Sequence, residues 1–374
     1  MNLHDLMLIV PAVLTAYVIS YISMPAVIRV AELKNLIDSP DGHRKLRGKV
    51  VPTLGGVGIF AAFIVSYSVW GQVTTMQAFP FFIASLFILF LMGVRDDIVE
   101  LTPLKKLIVQ VAAILILVYG GGVVLTGFGG VFGFNEVSWI AGSLASVVIM
   151  LAVINAYNLI DGIDGLAGGV GVIVSSILGI WFWGAGYLSL TILSFTLSGA
   201  LVGFLSYNMF PAKIFMGDTG AMSIGMILGY LSLEFLILNH SLAGQGWHIS
   251  NGEVLAVSIL IIPIVDTIRV IILRLKKGVS PFMGDRSHIH HRMLDMGISH
   301  LHSAFILWLV NIFMIGLAYA TMPLNVNLQL AIVIGTALMI LPIIRLTVLL
   351  SQKVFHINLT KPEKDSSGTA YDAN

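Results

Sequence analysis

The chain has 374 residues, 57% of them hydrophobic and 10% charged, with a formal net charge of +1. Soluble domains carry about 25% charged residues, so this chain has lipid as its main solvent, and its charge balance argues against nucleic-acid or bulk acidic partners. The absence of cysteine excludes disulfides, thiolate catalysis and Cys-ligated metals.

Apolar runs near membrane length fall at 6–28, 54–70, 79–94, 107–125, 138–154, 166–183, 188–207, 221–238, 254–273, 303–322 and 328–350. They predict an all-α polytopic integral membrane protein of about eleven transmembrane helices, 54–70 and 79–94 being the shortest. The first run has no basic segment before it and no small-residue cleavage site after it, which predicts a retained span. The Gly-rich 120–133 is expected to form an outer loop or a short re-entrant element. No internal repeat of the kind found in inverted-topology transporters is visible. Residues 353–374 read as a polar, disordered tail behind a single domain over 1–352.

All 20 Lys and Arg residues fall in one set of alternate loops or at the helix ends beside them, from Arg29 through Lys105, Lys106 and Lys213 to Lys364. The positive-inside rule makes that side cytoplasmic, with the N-terminus outside and the C-terminus inside. Asp96, Asp97, Asp161, Asp164, Asp218, Asp266, Asp285, His288, His290 and His291 share that side. The outer side offers only scattered groups such as Glu136, His240 and Glu253. Glu234, within an apolar segment, has no partner that the sequence identifies.

Four constellations could carry chemistry. The first is Asp96-Asp97, adjacent carboxylates at a membrane edge, which call for a cation, either Mg²⁺ bridging to a phosphate or simply Arg95 beside them. The second, NAYNLIDGIDGLAGG, places Asn155, Asn158, Asp161 and Asp164 at a spacing of three, which on a helix is one face. Capping explains one such Asp, but not the set. The third is FMGDTG, where Asp218 is either a metal ligand or an N-cap, and Phe215 either stacks on a base or anchors at the interface. The fourth, DRSHIHHR, offers Arg286, His288, His290, His291 and Arg292 to diphosphate or sugar oxygens, with zinc as the rival ligand. Lys105 and Lys106 stand where a lipid phosphate would lie, or snorkel as anchors.

Together with PTLGG at Pro52, these motifs resemble the polyprenyl-phosphate N-acetylhexosamine-1-phosphate transferases, glycosyltransferase family 4, across nearly the whole chain. PIVDTIR and SPFMGDRSHIHH resemble the branch that begins O-antigen, common-antigen and wall teichoic acid synthesis, not the MurNAc-pentapeptide branch. The resemblance implies transfer of a HexNAc-1-phosphate, GlcNAc-1-phosphate first among them, from a UDP-sugar to undecaprenyl phosphate with release of UMP. It also implies Mg²⁺ with Mn²⁺ as a substitute, a bacterial inner-membrane location and a homodimer.

Carried over residue by residue, the resemblance makes Asp96 and Asp97 catalytic and gives the metal to Asp218 and Asp97. It assigns the nucleotide sugar to Asn155, Asn158, Asp161, Asp164, Phe215, Asp266, Arg286, His288, His290 and His291. Lys106 and Lys105 take the lipid phosphate. Two other classes remain open on the residues alone. A cation-coupled transporter would place acids at mid-helix, and a membrane phosphatase would use the histidines but leave the Asn/Asp motif unexplained.

Overall fold

The structure, a computed structural model, describes residues 3–34, 51–71, 77–278 and 288–355. Arg44, Lys45, Arg47, Lys49, Asp285, Arg286 and the expected tail beyond 355 lie outside the described residues. The apolar runs become α1 (Leu3–Leu33), α2 (Gly55–Trp70), α3 (Phe79–Ile98), α4 (Pro103–Leu115), α5 (Trp139–Leu159), α6 (Leu166–Gly184), α7 (Leu188–Asn208) and α8 (Gly217–Ser241). They continue as α9 (Gly252–Ile259) and α10 (Ile261–Lys276), a short α11 (Ile289–Asp295), α12 (His300–Ala320) and α13 (Val326–Phe355).

Among the described residues, nine helices are long and apolar enough to cross a membrane. Two of the expected runs differ. The run at 54–70 is the 16-residue α2, shorter than a straight crossing requires. The run at 254–273 is not one rod: α9 and α10 meet at a 78° bend. Pro263, in the first turn of α10, has no N–H to carry the hydrogen-bond ladder back across Leu260.

The Gly-rich segment also departs from expectation. After α4 and a π-helical turn (Ile116–Gly120), it forms β1 (Gly127–Val131), paired antiparallel with β2 (Phe134–Glu136). Gly129, Gly130 and Gly133 all take positive φ there, which glycine adopts at little cost. Beneath this hairpin, His240 and Glu253, read as scattered groups, form an ion pair at 2.8 Å.

α8 is the axis of the bundle and packs on α2, α3, α5 and α6, while α7 is enclosed by α1, α2 and α6. Polar contacts fix the rim, for example Ser66 Oγ donating to the Ala12 carbonyl at 2.6 Å and Trp70 Nε1 to Thr15 Oγ1 at 3.0 Å. Glu234, on α8, has the Tyr230 hydroxyl one turn away as its hydrogen-bond partner. The N-terminal turn of α8 lies at the same end of the bundle as the C-terminal turns of α3 and α5. This shared end carries the expected site residues.

Candidate active site

α3 ends in Asp96 and Asp97, and the 100° rotation between neighbours on a helix gives the two carboxylates different partners. Asp97 turns to α8. Its Oδ1 accepts from the Asp218 N–H at 2.8 Å, and its Oδ2 from the Thr219 N–H at 3.0 Å and the Thr219 hydroxyl at 2.5 Å. It is thus the N-terminal cap of α8, supplied by another helix. Asp96 instead accepts from the Leu101 N–H at 2.7 Å and pairs with the Lys106 ammonium.

Lys106 Nζ also donates to Asp218 Oδ2 at 2.7 Å, and Asn158 Nδ2 donates to Asp218 Oδ1 at 2.9 Å. Asp96, Lys106, Asn158 and Asp218, from α3, α4, α5 and α8, therefore form one network. Lys105, next in sequence to Lys106, is exposed. Asn155 stands one turn before Asn158 and donates to Gln110 Oε1 at 2.9 Å.

The PTLGG segment makes this end close-packed. Pro52 O accepts from the Phe215 N–H at 2.8 Å, Phe215 O accepts from the Gly55 N–H at 2.9 Å, and Met216 O accepts from the Gly56 N–H at 2.8 Å. A Cβ on Gly56 would lie 2.1 Å from the Gly220 nitrogen, and one on Gly217, which has φ +72°, would lie 1.9 Å from the Thr53 carbonyl oxygen. Only glycine allows PTLGG and FMGDTG to lie backbone on backbone. Phe215 is half-buried beside them.

The Asn/Asp motif spans the end of α5 and the turn into α6. Asp161 is half-buried in that turn. Asp164 is buried, accepts from the Ala212 N–H at 3.0 Å and lies 3.5 Å from His300 Nδ1. Asn208 closes the same junction, with its Oδ1 accepting from the Gly165 N–H at 2.9 Å and its Nδ2 donating to the Ile214 carbonyl at 2.8 Å.

The histidine motif lies between the predicted runs at 254–273 and 303–322, yet from Ile289 onward it is the helix α11. Asp266, buried in α10, holds its start, accepting from the Ile289 N–H at 2.8 Å and contacting His288 Nδ1 at 2.8 Å. His290 is 1% exposed and lies over Gly162, whose Cβ would meet its Nε2 at 2.1 Å. Burial, then the neighbouring His291, pushes the His290 imidazole down to about 3. The His291 ring lies tilted beside it, at 4.3 Å between ring centroids.

The fold thus brings Asp96, Asp97, Lys106, Asn158 and Asp218 together, and sets Asp266 and the histidines against the 161–164 turn. Gln110, Thr219 and Asn208 were not singled out in the sequence. Gln110 was legible as a polar residue four positions after Lys106, on the same helical face. Thr219 stood in FMGDTG without a role of its own, and Asn208 carried no signal, because their partners are remote in the chain.

Residues 79–236, which include Asp96 through Asp218, match the model of glycosyl transferase family 4. A probable undecaprenyl-phosphate N-acetylglucosaminyl 1-phosphate transferase of Bacillus subtilis (strain 168) is 32% identical over 304 residues, 80% of this chain and 82% of the relative. The chain belongs to glycosyl transferase family 4. An undecaprenyl-phosphate alpha-N-acetylglucosaminyl 1-phosphate transferase of Escherichia coli O157:H7 is 29% identical over 75% of this chain and 74% of its own. A decaprenyl-phosphate N-acetylglucosaminephosphotransferase of Mycolicibacterium smegmatis is 29% identical over 90% of this chain and 87% of its own. This family 4 member is a multi-pass protein of the bacterial inner membrane. The family is divalent-metal dependent in general.

The residues can be tested against that dependence. Of the expected metal pair, Asp97 accepts at both oxygens from Asp218 and Thr219 at the start of α8. Asp218 also shares the Lys106 ammonium with Asp96. Two carboxylates, Asp218 with 27% and Asp96 with 5% of its side chain exposed, are hard oxygen donors of the kind that Mg²⁺ takes.

Proposed function

We propose that this family 4 enzyme transfers GlcNAc-1-phosphate, or a related HexNAc-1-phosphate, from a UDP-sugar to undecaprenyl phosphate. The products are undecaprenyl-diphospho-HexNAc and UMP, in the first membrane step of an envelope polysaccharide of the O-antigen, common-antigen or teichoic acid type. The observation that carries the reading is the network of Asp96, Lys106, Asn158 and Asp218, four residues from four helices meeting at one end of the bundle. The relatives' named activities agree with it.

An oxygen of the lipid phosphate attacks the β-phosphorus of the UDP-sugar. The bond from that phosphorus to the bridging oxygen breaks, and its electron pair leaves with UMP. The acceptor oxygen is already anionic at neutral pH, so no carboxylate has to remove a proton, and the Asp97 oxygens are engaged elsewhere. This favours direct attack over an aspartyl intermediate. Mg²⁺, held by Asp218 and Asp96 and replaceable by Mn²⁺, would neutralise charge on the diphosphate. Lys106 holds the acceptor phosphate, with Lys105 contributing at longer range. Asn158, Asn155, Asp161 and Phe215 serve the nucleotide sugar, while Asp164 and Asp266 hold the turn and α11 that present it. The histidines, with Arg286, approach the diphosphate or sugar.

The reading includes eleven crossings, with α2 and the bent α9–α10 completing the nine long helices, a cytoplasmic site and C-terminus, and one catalytic domain over 1–352.

The test is transfer of radiolabel to undecaprenyl phosphate by purified protein with Mg²⁺. UDP-GlcNAc, UDP-GalNAc and UDP-MurNAc-pentapeptide are offered in parallel. Butanol-extractable product from a UDP-HexNAc, lost in Asp218→Asn, is the expected result. Product from the pentapeptide donor alone would move the enzyme to the other branch, and product from none would overturn the reading.

A further inference from the structure

We propose that Lys106 is a tethered cation standing in the divalent-metal position, and that metal entry frees its ammonium for the phosphate of the lipid acceptor. This rests on the reading of Asp218 as a metal ligand. The Lys106 Nζ contacts Asp96 Oδ2 and, at 2.7 Å, Asp218 Oδ2, joining carboxylates that α3 and α8 aim at one point. Without a cation between them those carboxylates would repel. Asn158, at 2.9 Å, keeps Asp218 in place whichever cation is present.

Lysine suits the role. It is a compact point charge on a flexible four-carbon stem, so it can leave two oxygens and reach a third without moving its helix. Its side chain is 27% exposed here, which leaves it room to swing. A doubly charged ion competes for the same hard oxygens and accepts phosphate oxygens as further ligands. The formal charge of Asp96, Asp218 and Lys106 together is −1, which repels a phosphate. With a divalent cation in place of the ammonium the carboxylate pair becomes neutral, and the released lysine adds +1 as a mobile donor. The acceptor phosphate is therefore drawn in only after the metal has entered.

Detergent-purified full-length wild-type protein tests this without any substitution. Brief reductive dimethylation, read by peptide fragmentation, compares Lys106 with exposed Lys105 as an internal reference. Without metal, Lys106 should react about fivefold more slowly than Lys105, since its nitrogen is held between two carboxylates, and saturating Mg²⁺ should bring the two rates together. Protection that persists in saturating Mg²⁺, or full reactivity in its absence, would overturn the proposal.

Mn²⁺ binding, followed by the loss of the free-ion electron paramagnetic resonance signal, gives a second readout. Lys106→Met should bind Mn²⁺ about fivefold more tightly than wild type, because its competitor is gone. Equal or weaker binding would count against the tethered cation. Asp218→Asn separates the two levels. If wild type binds no Mn²⁺ that this change removes, the metal reading fails and takes the proposal with it. If Asp218-dependent binding leaves Lys106 protected, only the tethered cation is lost.

Discussion

Asp97 accepts the backbone N–H of Asp218 from 121 residues away, at 2.8 Å, and with the same carboxylate holds Thr219. The position of Asp218, and of whatever it binds, is therefore set by the last turn of α3. Asp97→Asn would face a backbone donor with an amide N–H₂ group and lose charge assistance. Leaving a buried donor unsatisfied costs about 1–3 kcal/mol, so the metal-free protein should melt earlier. Displacing Asp218 should lower transfer by about 100-fold. Thermal melting beside the radiolabel assay checks both, and an unchanged melt with lost activity would show that Asp97 acts on the substrates rather than as a cap.

Gly162 and His290 are in direct contact, with no space for a methyl group between them. Gly162→Ala should force the imidazole off the turn. The overpacking should destabilise by about 1–3 kcal/mol and raise KM for the nucleotide sugar more than KM for the lipid acceptor. Two-substrate kinetics would read this, and equal effects on both KM values would count against a donor-side role for His290.

Asn208 joins two turns that are separate in sequence. In Asn208→Ala the Gly165 N–H and the Ile214 carbonyl both lose their partner. A loss of about 1–3 kcal/mol follows, seen as a lower melting temperature. Activity per folded molecule should fall as well, because Ile214 leads directly into the segment 215–218 that carries Phe215 and Asp218. Full activity in the folded fraction would limit Asn208 to stability.

His290 gives a pH dependence with a definite sign. Its imidazole is held near 3 in the folded protein against about 6.5 when unfolded, mainly by burial. The folded state therefore refuses a proton that the unfolded chain accepts. The stability contributed by neutral His290 is complete above about pH 6.5 and is lost as pH falls from there towards 3. Melting temperature should decline over that window, and the decline should be shallower in His290→Gln. Parallel curves for the two proteins would remove His290 as its source.

Hydropathy alone determined that the chain is a bundle of membrane helices, and motif spacing singled out Asp96, Asn158, Asp218 and His290 as candidates for chemistry. Both are local properties, since a helix must bury about twenty apolar residues to cross lipid and a turn must have its glycines wherever it is built. Tertiary structure decided which oxygen meets which donor. Asp96 and Asp97 are neighbours of identical chemistry, yet one joins Lys106 and Asp218 while the other caps α8, and no one-dimensional signal separates them. The same holds for the break at Leu260, the helix that begins at Ile289 under Asp266, and the bridge made by Asn208. Each depends on the direction in which a helix presents a side chain to a partner tens of residues away, which is set only when the bundle packs.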